Sequence, residues 1–132
     1  MLDSITVGAH RAWVEGDVMR VVHVGPVTIA ELEVLYQQLD LWNEERGVWY
    51  LLMDIQAMPP PEPEVRKWMA KPKSSAPIRA VLAVGASPAV RVLSGLMMRA
   101  MELLGNKPKT PFMMMKSEAE AQAWIQSDRS RR

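Results

Sequence analysis

The 132-residue sequence contains no cysteine, only two histidines and few aromatic residues, which make up 6% of the chain. The absence of cysteine excludes disulfides, a thiol nucleophile and Cys-ligated zinc or iron–sulfur sites. No apolar run reaches the roughly 18–20 residues that a membrane-spanning helix needs, and the first residues lack the basic-then-apolar pattern of a secretory signal. We therefore expect a soluble, cytoplasmic protein.

The length and composition are those of one globular domain. Apolar residues make up 48% of the chain and charged residues 23%, which is an ordinary balance for a folded domain. We expect a single domain over residues 1–126 and a charged, flexible tail over residues 127–132. Methionine is abundant, with 11 residues. Because the methionine clusters fall inside predicted helices and strands, core filling is favoured over an adaptable binding surface.

The charges are distributed unevenly along the chain. The formal net charge is +1, but residues 1–60 carry −6 and residues 61–132 carry +7. This asymmetry favours head-to-tail contacts or an acidic partner, unless the two halves interleave in the fold. The sequence pI of about 8.1 lies below the values above 9 that are typical of nucleic-acid-binding domains. We therefore expect no nucleic-acid partner.

The predicted elements alternate between strand and helix after an initial hairpin. Residues 5–15 and 18–24 are β-forming and are separated by a Gly-Asp turn. A helix begins after Thr28, which forms a capping box with Glu31, and ends at Gly47. The remaining elements are strands over 48–54, 78–84 and 111–116, and helices that begin near Pro63, after Ser87 and after Ser117. The order β-β-α-β-α-β-α-β-α predicts an α/β fold with a mixed, mostly parallel five-stranded sheet covered by helices.

Several local signatures in this order resemble the STAS superfamily, and more closely its small SpoIIAA-like bacterial members. The segments that carry the resemblance are 13–17 (WVEGD), 24–28 (VGPVT), 51–54 (LLMD), 83–88 (AVGASP) and 117–125 (SEAEAQAWI). The resemblance covers roughly residues 5–126, and it implies a regulatory protein that binds a protein partner. The general layout is also similar to that of lipid-binding SEC14-like domains.

One departure from the family pattern concerns the phosphorylation site. In the anti-sigma-factor antagonists of this family, the strand that matches residues 48–54 leads into an Asp-Ser-Ser-Gly-like turn whose serine is phosphorylated. Here Asp54 is followed by Ile-Gln-Ala-Met and then by prolines, with no serine, threonine or glycine before Pro63. We therefore predict that this chain lacks the phosphorylation switch at this position.

The standard catalytic patterns each lack a residue or the required spacing. Residues 85–89 (GASPA) lack the last glycine of a nucleophile elbow, and neither histidine follows them. No phosphate-binding glycine motif occurs. His10 and His23 fall on one predicted hairpin and can approach each other, but a metal site would need a third ligand, for which Glu15 and Asp17 are the candidates. We expect no bound metal, no cofactor and no enzymatic activity.

The candidate site lies where the strands end. In open α/β sheets, ligands bind beyond the carboxyl ends of the strands. Asp54 ends one predicted strand, and Ser87 precedes a helix whose free N–H groups favour an anion. The predicted partner- or ligand-binding surface consists of Asp54, Gln56, Met58, Arg66, Trp68, Ser87 and Arg91. The alternative is that Asp54 only caps a loop and Ser87 only caps its helix.

Three functions remain open. The leading hypothesis, implied by the resemblance, is a non-catalytic STAS-like protein-interaction module with a regulatory or scaffolding role in a bacterium. A homodimer is compatible with it. The alternative is a carrier of a small apolar or anionic ligand or lipid, with a pocket between the helices over residues 62–71 and 88–104, as the methionine content and the SEC14-like layout suggest. An enzyme of unrecognised chemistry is the third.

Overall fold

In the computed structural model, which describes residues 3–71, 77–105 and 110–132, one mixed sheet is flanked by helices. The strands are β1 (Ser4–Val7), β2 (His10–Glu15), β3 (Val18–Val24), β4 (Tyr50–Ala57), β5 (Ala80–Val84) and β6 (Phe112–Met115). The helices are α1 (Ile29–Arg46), α2 (Pro63–Met69), α3 (Pro88–Leu103) and α4 (Glu118–Ser130). The strands lie in chain order; β1, β2 and β3 pair antiparallel, and β3 to β6 pair parallel. The predicted α/β class is confirmed.

The sheet has six strands rather than the predicted five, because the first predicted strand divides at Gly8. This glycine has a φ of +60°, which L side chains rarely adopt, and the carboxylate of Glu31 occupies the space that a Cβ would need. The chain therefore reverses at Gly8, and Val7 of β1 pairs with His10 of β2.

The two central strands lie side by side as the sequence predicts. Leu52 of β4 is paired with Leu82 of β5 in a parallel ladder, and both side chains are buried. The prediction that β4 ends at Asp54 was wrong, since the strand continues to Ala57. The additional residues continue the pairing with β3, where Val24 is paired with Ala57 across a register shift.

The helices cover the sheet on two faces. Leu35, Leu39 and Trp42 of α1 pack on Leu51 of β4, whereas Ile125 of α4 packs on the other face. Val90 of α3 contacts Ile55 and Ala83, which lie on the α1 face because side chains alternate along each strand. The face covered by α1 therefore also carries α3, and α4 lies on the opposite face. In the described part of the chain, no helix is long and apolar enough to cross a membrane.

The first helix is capped as the sequence predicts, and this gives a stability test. The Thr28 hydroxyl accepts a hydrogen bond from the Glu31 N–H, and the Glu31 carboxylate accepts one from the Thr28 N–H. Because Thr28→Ala removes the cap acceptor, we expect it to lower the free energy of unfolding by about 1 kcal/mol. Urea denaturation measures the change, with the exposed Ala30→Ser on the same helix as the control. An effect no larger than that of the control would contradict the role of the cap.

Residues 127–130, which the sequence assigned to a charged, flexible tail, belong to α4. Asp128 is buried and accepts hydrogen bonds from the Tyr50 hydroxyl (2.6 Å) and from Arg79 Nε (2.6 Å). Arg129 pairs with Asp17 in the turn that precedes β3. These contacts hold the end of α4 against the amino ends of the parallel strands. A sequence pattern of exposed charges could not show them, because the partners lie far away along the chain.

Candidate functional site

The carboxyl ends of β3, β4 and β5 meet at one edge of the sheet, which we call the carboxyl edge. Gly85, directly after β5, has a φ of +82°, and a Cβ at this position would lie 3.0 Å from the Cβ of Gln56. A larger residue would therefore push the ends of β4 and β5 apart. Gln56, which is exposed, thus lies against the backbone of Gly85, in the short segment between β5 and α3.

The structure does not bring all predicted site residues to one face. Asp54 alternates with Met53 and Ile55 along β4, so its side chain lies on the α4 face, where Oδ1 accepts the Gln56 N–H at 3.0 Å. Ser87 caps α3, on the other face, by accepting the Val90 N–H at 3.2 Å. Both polar side chains thus make local capping bonds. A joint ligand site of Asp54 and Ser87 stays a prediction.

The other predicted residues divide into packed and exposed groups. Met58 packs between the clusters around Val65 and Ile55, and the ring of Trp68 lies 6.0 Å from that of Tyr36. These two side chains are therefore partly buried. Arg91, by contrast, is exposed, and its Nε donates to the Ala86 carbonyl at 3.3 Å.

Arg66 lies in an open groove beside α3, which we call the α3 groove. Its volume is about 570 Å³. It is lined by Pro60, Pro61, Arg66, Pro88, Ala89, Val92, Leu93 and Leu96. Arg66 is the single charged residue of this lining, and the rest is apolar. The sequence predicted Arg66 as a site residue and, for the carrier alternative, a pocket between residues 62–71 and 88–104, but the exposed Val92 and Leu96 that line this groove were not among the predicted site residues.

The outer surface of α3 carries large apolar side chains in contact with water. The exposed fraction is 65% for Val92, 60% for Leu96 and 83% for Leu103. Of the residues in this helix, only Val90 is fully buried. The sequence spacing predicts an inward apolar stripe along this helix, consisting of Val90, Leu93, Met97, Met101 and Leu104. Leu104 is instead 75% exposed, since it follows the last turn of the helix. Contiguous exposed apolar surface of this kind marks interaction sites.

A buried histidine pair lies beneath the loop that joins β3 to α1. As the sequence predicts, His10 and His23 approach each other across the hairpin, with their Nδ1 atoms 3.3 Å apart. The His10 Nδ1 also accepts the Val24 N–H at 3.1 Å, so that in the neutral ring the proton lies on Nε2, 3.3 Å from Glu31 Oε1. Burial, reinforced by the nearby His10, lowers the pKa of His23 to about 4.

The acids proposed as third metal ligands lie elsewhere. Glu15 accepts hydrogen bonds from Trp13 and Arg20, and Asp17 pairs with Arg129. Within residues 3–71, 77–105 and 110–132, no three His, Asp or Glu side chains are arranged to hold a metal ion. Glu31 does approach the pair, with Oε1 3.3 Å from His10 Nε2, although its position in the sequence predicted only a helix cap.

Comparison with known proteins identifies the fold. No protein-family model matches the chain, and no curated protein sequence is detectably similar to it. A solved structure, the anti-sigma factor antagonist SpoIIAA in its unphosphorylated form, matches with a TM-score of 0.58 at 14% sequence identity. The match covers 89% of this chain and 98% of SpoIIAA. The six-stranded mixed sheet and its helices therefore have the fold of SpoIIAA, the STAS fold that the sequence resemblance implies.

Proposed function

We propose that this protein is a non-catalytic, STAS-like interaction module that binds a protein partner and has a regulatory or scaffolding role in the bacterial cytoplasm. The likeness of its fold to that of an anti-sigma factor antagonist supports a regulatory role. The lining of the α3 groove carries the proposal. It consists of apolar side chains and one arginine, open to solvent, at the start of a helix that exposes further leucines.

This lining favours a partner over a substrate. Apolar groups with a single cation can bury a complementary surface, but proline, alanine, valine and leucine side chains supply no nucleophile, acid or base. An aromatic or aliphatic anchor from a partner would be desolvated in such a groove, as at the centres of protein interfaces.

Affinity capture from the native host tests this proposal. Val92→Asp places a carboxylate in the groove, and we expect it to reduce recovery of the partner at least about tenfold. Leu41→Asp, at a similarly exposed apolar position on α1, is the matched control and should recover the partner normally. Equal recovery by wild type and by a folded Val92→Asp variant would show that the partner binds elsewhere.

The volume of the groove also keeps a ligand carrier as the second candidate, because small-molecule sites commonly enclose about 300–1,000 Å³. Native mass spectrometry of the freshly purified protein separates the two functions. A bound small molecule that Val92→Asp removes would indicate a carrier, whereas a mass equal to that of the bare chain favours the interaction module.

A further inference from the structure

The outer side of α3 carries a stripe of apolar residues with an internal symmetry. Its members are Ala89, Val92, Leu96, Ala100 and Leu103, and all five are exposed. Successive members are three, four, four and three positions apart, so they share one side of the helix. The spacing is the same on both sides of Leu96, with members four and seven positions before and after it. The stripe is therefore symmetric about this residue.

Such symmetry is what a two-fold contact between identical helices requires. If a second α3 runs antiparallel with Leu96 opposite Leu96, then Ala89 of one copy lies opposite Leu103 of the other. In the same way, Val92 lies opposite Ala100. Val92 and Leu103 thus each face an alanine, and Leu96 meets its own copy at the centre, so that the two surfaces can interdigitate on either side of it. A contact in which both copies use the same patch is the usual arrangement of homodimers.

The helix dipoles also favour an antiparallel second copy. An antiparallel arrangement places the negative end of each α3 beside the positive end of the other, whereas a parallel arrangement brings like ends level with each other.

We infer that this chain forms a two-fold dimer through the outer stripe of α3, with Leu103 of each copy covered by the α3 groove of the other. The inference rests on the proposed function, since it assigns a partner to the same surface. It accounts for the exposure of Leu103, at 83%, together with an apolar groove near the other end of the same helix. Burial of both features in one contact removes them from water.

Sedimentation velocity or light scattering tests the dimer in solution. The wild-type protein is expected to sediment as a dimer that dissociates on dilution. Val92→Asp and Leu103→Asp each place a carboxylate in both halves of the contact, and we expect each to weaken dimerisation at least about tenfold. Leu41→Asp on α1 should leave it unchanged. A wild-type monomer, or a dimer insensitive to both variants, would overturn the inference.

Crosslinking tests the antiparallel register, because the chain has no cysteine of its own. In Leu96→Cys the two introduced thiols lie on the two-fold axis, so a short bis-maleimide should link them. In Ala89→Cys the two thiols are about 21 Å apart along the helix, at 1.5 Å per residue, and should not be linked. Linkage of Ala89→Cys would show a parallel contact, in which each position lies level with its own copy, and would contradict the proposed arrangement.

The failure of this inference can be told apart from failure of the proposed function. A monomeric wild-type protein whose capture of a different protein is lost in Val92→Asp would refute the dimer and retain the groove as a partner site. A dimer that depends on Val92 and Leu103, with no other protein captured, would support the inference and identify the partner as the chain itself. Unchanged capture and an unchanged dimer in Val92→Asp would refute both.

Discussion

Between pH 7 and pH 4 the protein is expected to lose about 3 kcal/mol of its free energy of unfolding through His23 alone. Burial, with a smaller contribution from His10, lowers the pKa of His23 from 6.5 to about 4. Below pH 6.5 the unfolded chain binds a proton at this residue that the folded protein excludes. The contribution of His23 to the free energy of unfolding is therefore complete above pH 6.5, and it is lost as the pH falls towards 4.

The geometry explains why the folded protein excludes this proton. His23 is 4% exposed and its Nδ1 lies 3.3 Å from His10 Nδ1, which already accepts the Val24 N–H. A positive charge on His23 would be desolvated among these groups, and Glu31, which favours the charged form, lies on the far side of His10. Protonation of His23 would therefore disturb the end of β3 and the loop that leads to α1.

His23→Asn is the variant that isolates this effect. The asparagine amide can donate to His10 Nδ1 and does not titrate. The free energy of unfolding of the variant should therefore change less steeply between pH 7 and pH 4 than that of the wild type, and the two slopes should differ by up to about 1.4 kcal/mol per pH unit. Urea denaturation at several pH values measures both curves. Parallel curves would contradict the assignment.

Asp128→Ala should lower the free energy of unfolding by about 2–3 kcal/mol. The Asp128 carboxylate accepts the Tyr50 hydroxyl at 2.6 Å and two donors of Arg79, at 2.6 and 3.2 Å. Truncation leaves the buried Tyr50 hydroxyl without this acceptor and releases the last turns of α4. The neighbouring Ser127→Ala, at an exposed position on the same helix, is the control and should change stability by less than about 0.5 kcal/mol.

The Asp128 carboxylate should also make the free energy of unfolding depend on pH below pH 4. Hydrogen bonds from Arg79 and then from Tyr50 lower the pKa of Asp128 from 3.8 to about 2. A lowered carboxylate pKa stabilises the folded protein above pH 4, and this contribution, about 2 kcal/mol, is lost as the pH falls from 4 to 2. The wild type should therefore become more acid-sensitive than Asp128→Asn over this range. If the difference in stability between the two stays constant from pH 5 to pH 2, the carboxylate is not held ionised in the folded protein.

The helix boundaries and the order of elements were largely predictable, because they depend on local chemistry. Thr28, Ser87 and Ser117 each accept a backbone N–H at a helix start, as their positions in the sequence indicate. Gly47 ends α1 with a φ of +65°. The parallel pairing of the strands around Leu52 and Leu82 followed from the alternation of strand and helix. These features are encoded within a few residues of where they occur.

The candidate surface was less predictable, because it depends on which side of α3 faces the sheet. The helix is apolar on two sides, and the pattern alone assigned both Val90 and Leu104 to the core. The structure buries Val90 and leaves Leu104 exposed. An apolar stripe that includes Val92, Leu96 and Leu103 was visible in the sequence, but only the packing of α3 on β4 and β5 decided that this stripe would meet solvent.

The sequence by itself determined the fold class, the helix caps and the absence of thiol chemistry, since each follows from residue type and local spacing. Only the tertiary structure decided how the two oppositely charged halves combine: Asp17 pairs with Arg129 and Arg132, and Arg20 with Glu118. It also decided that Glu31, a helix cap, approaches a buried histidine pair. These contacts join residues far apart in the chain, and their energies depend on distance and burial, which no local pattern specifies.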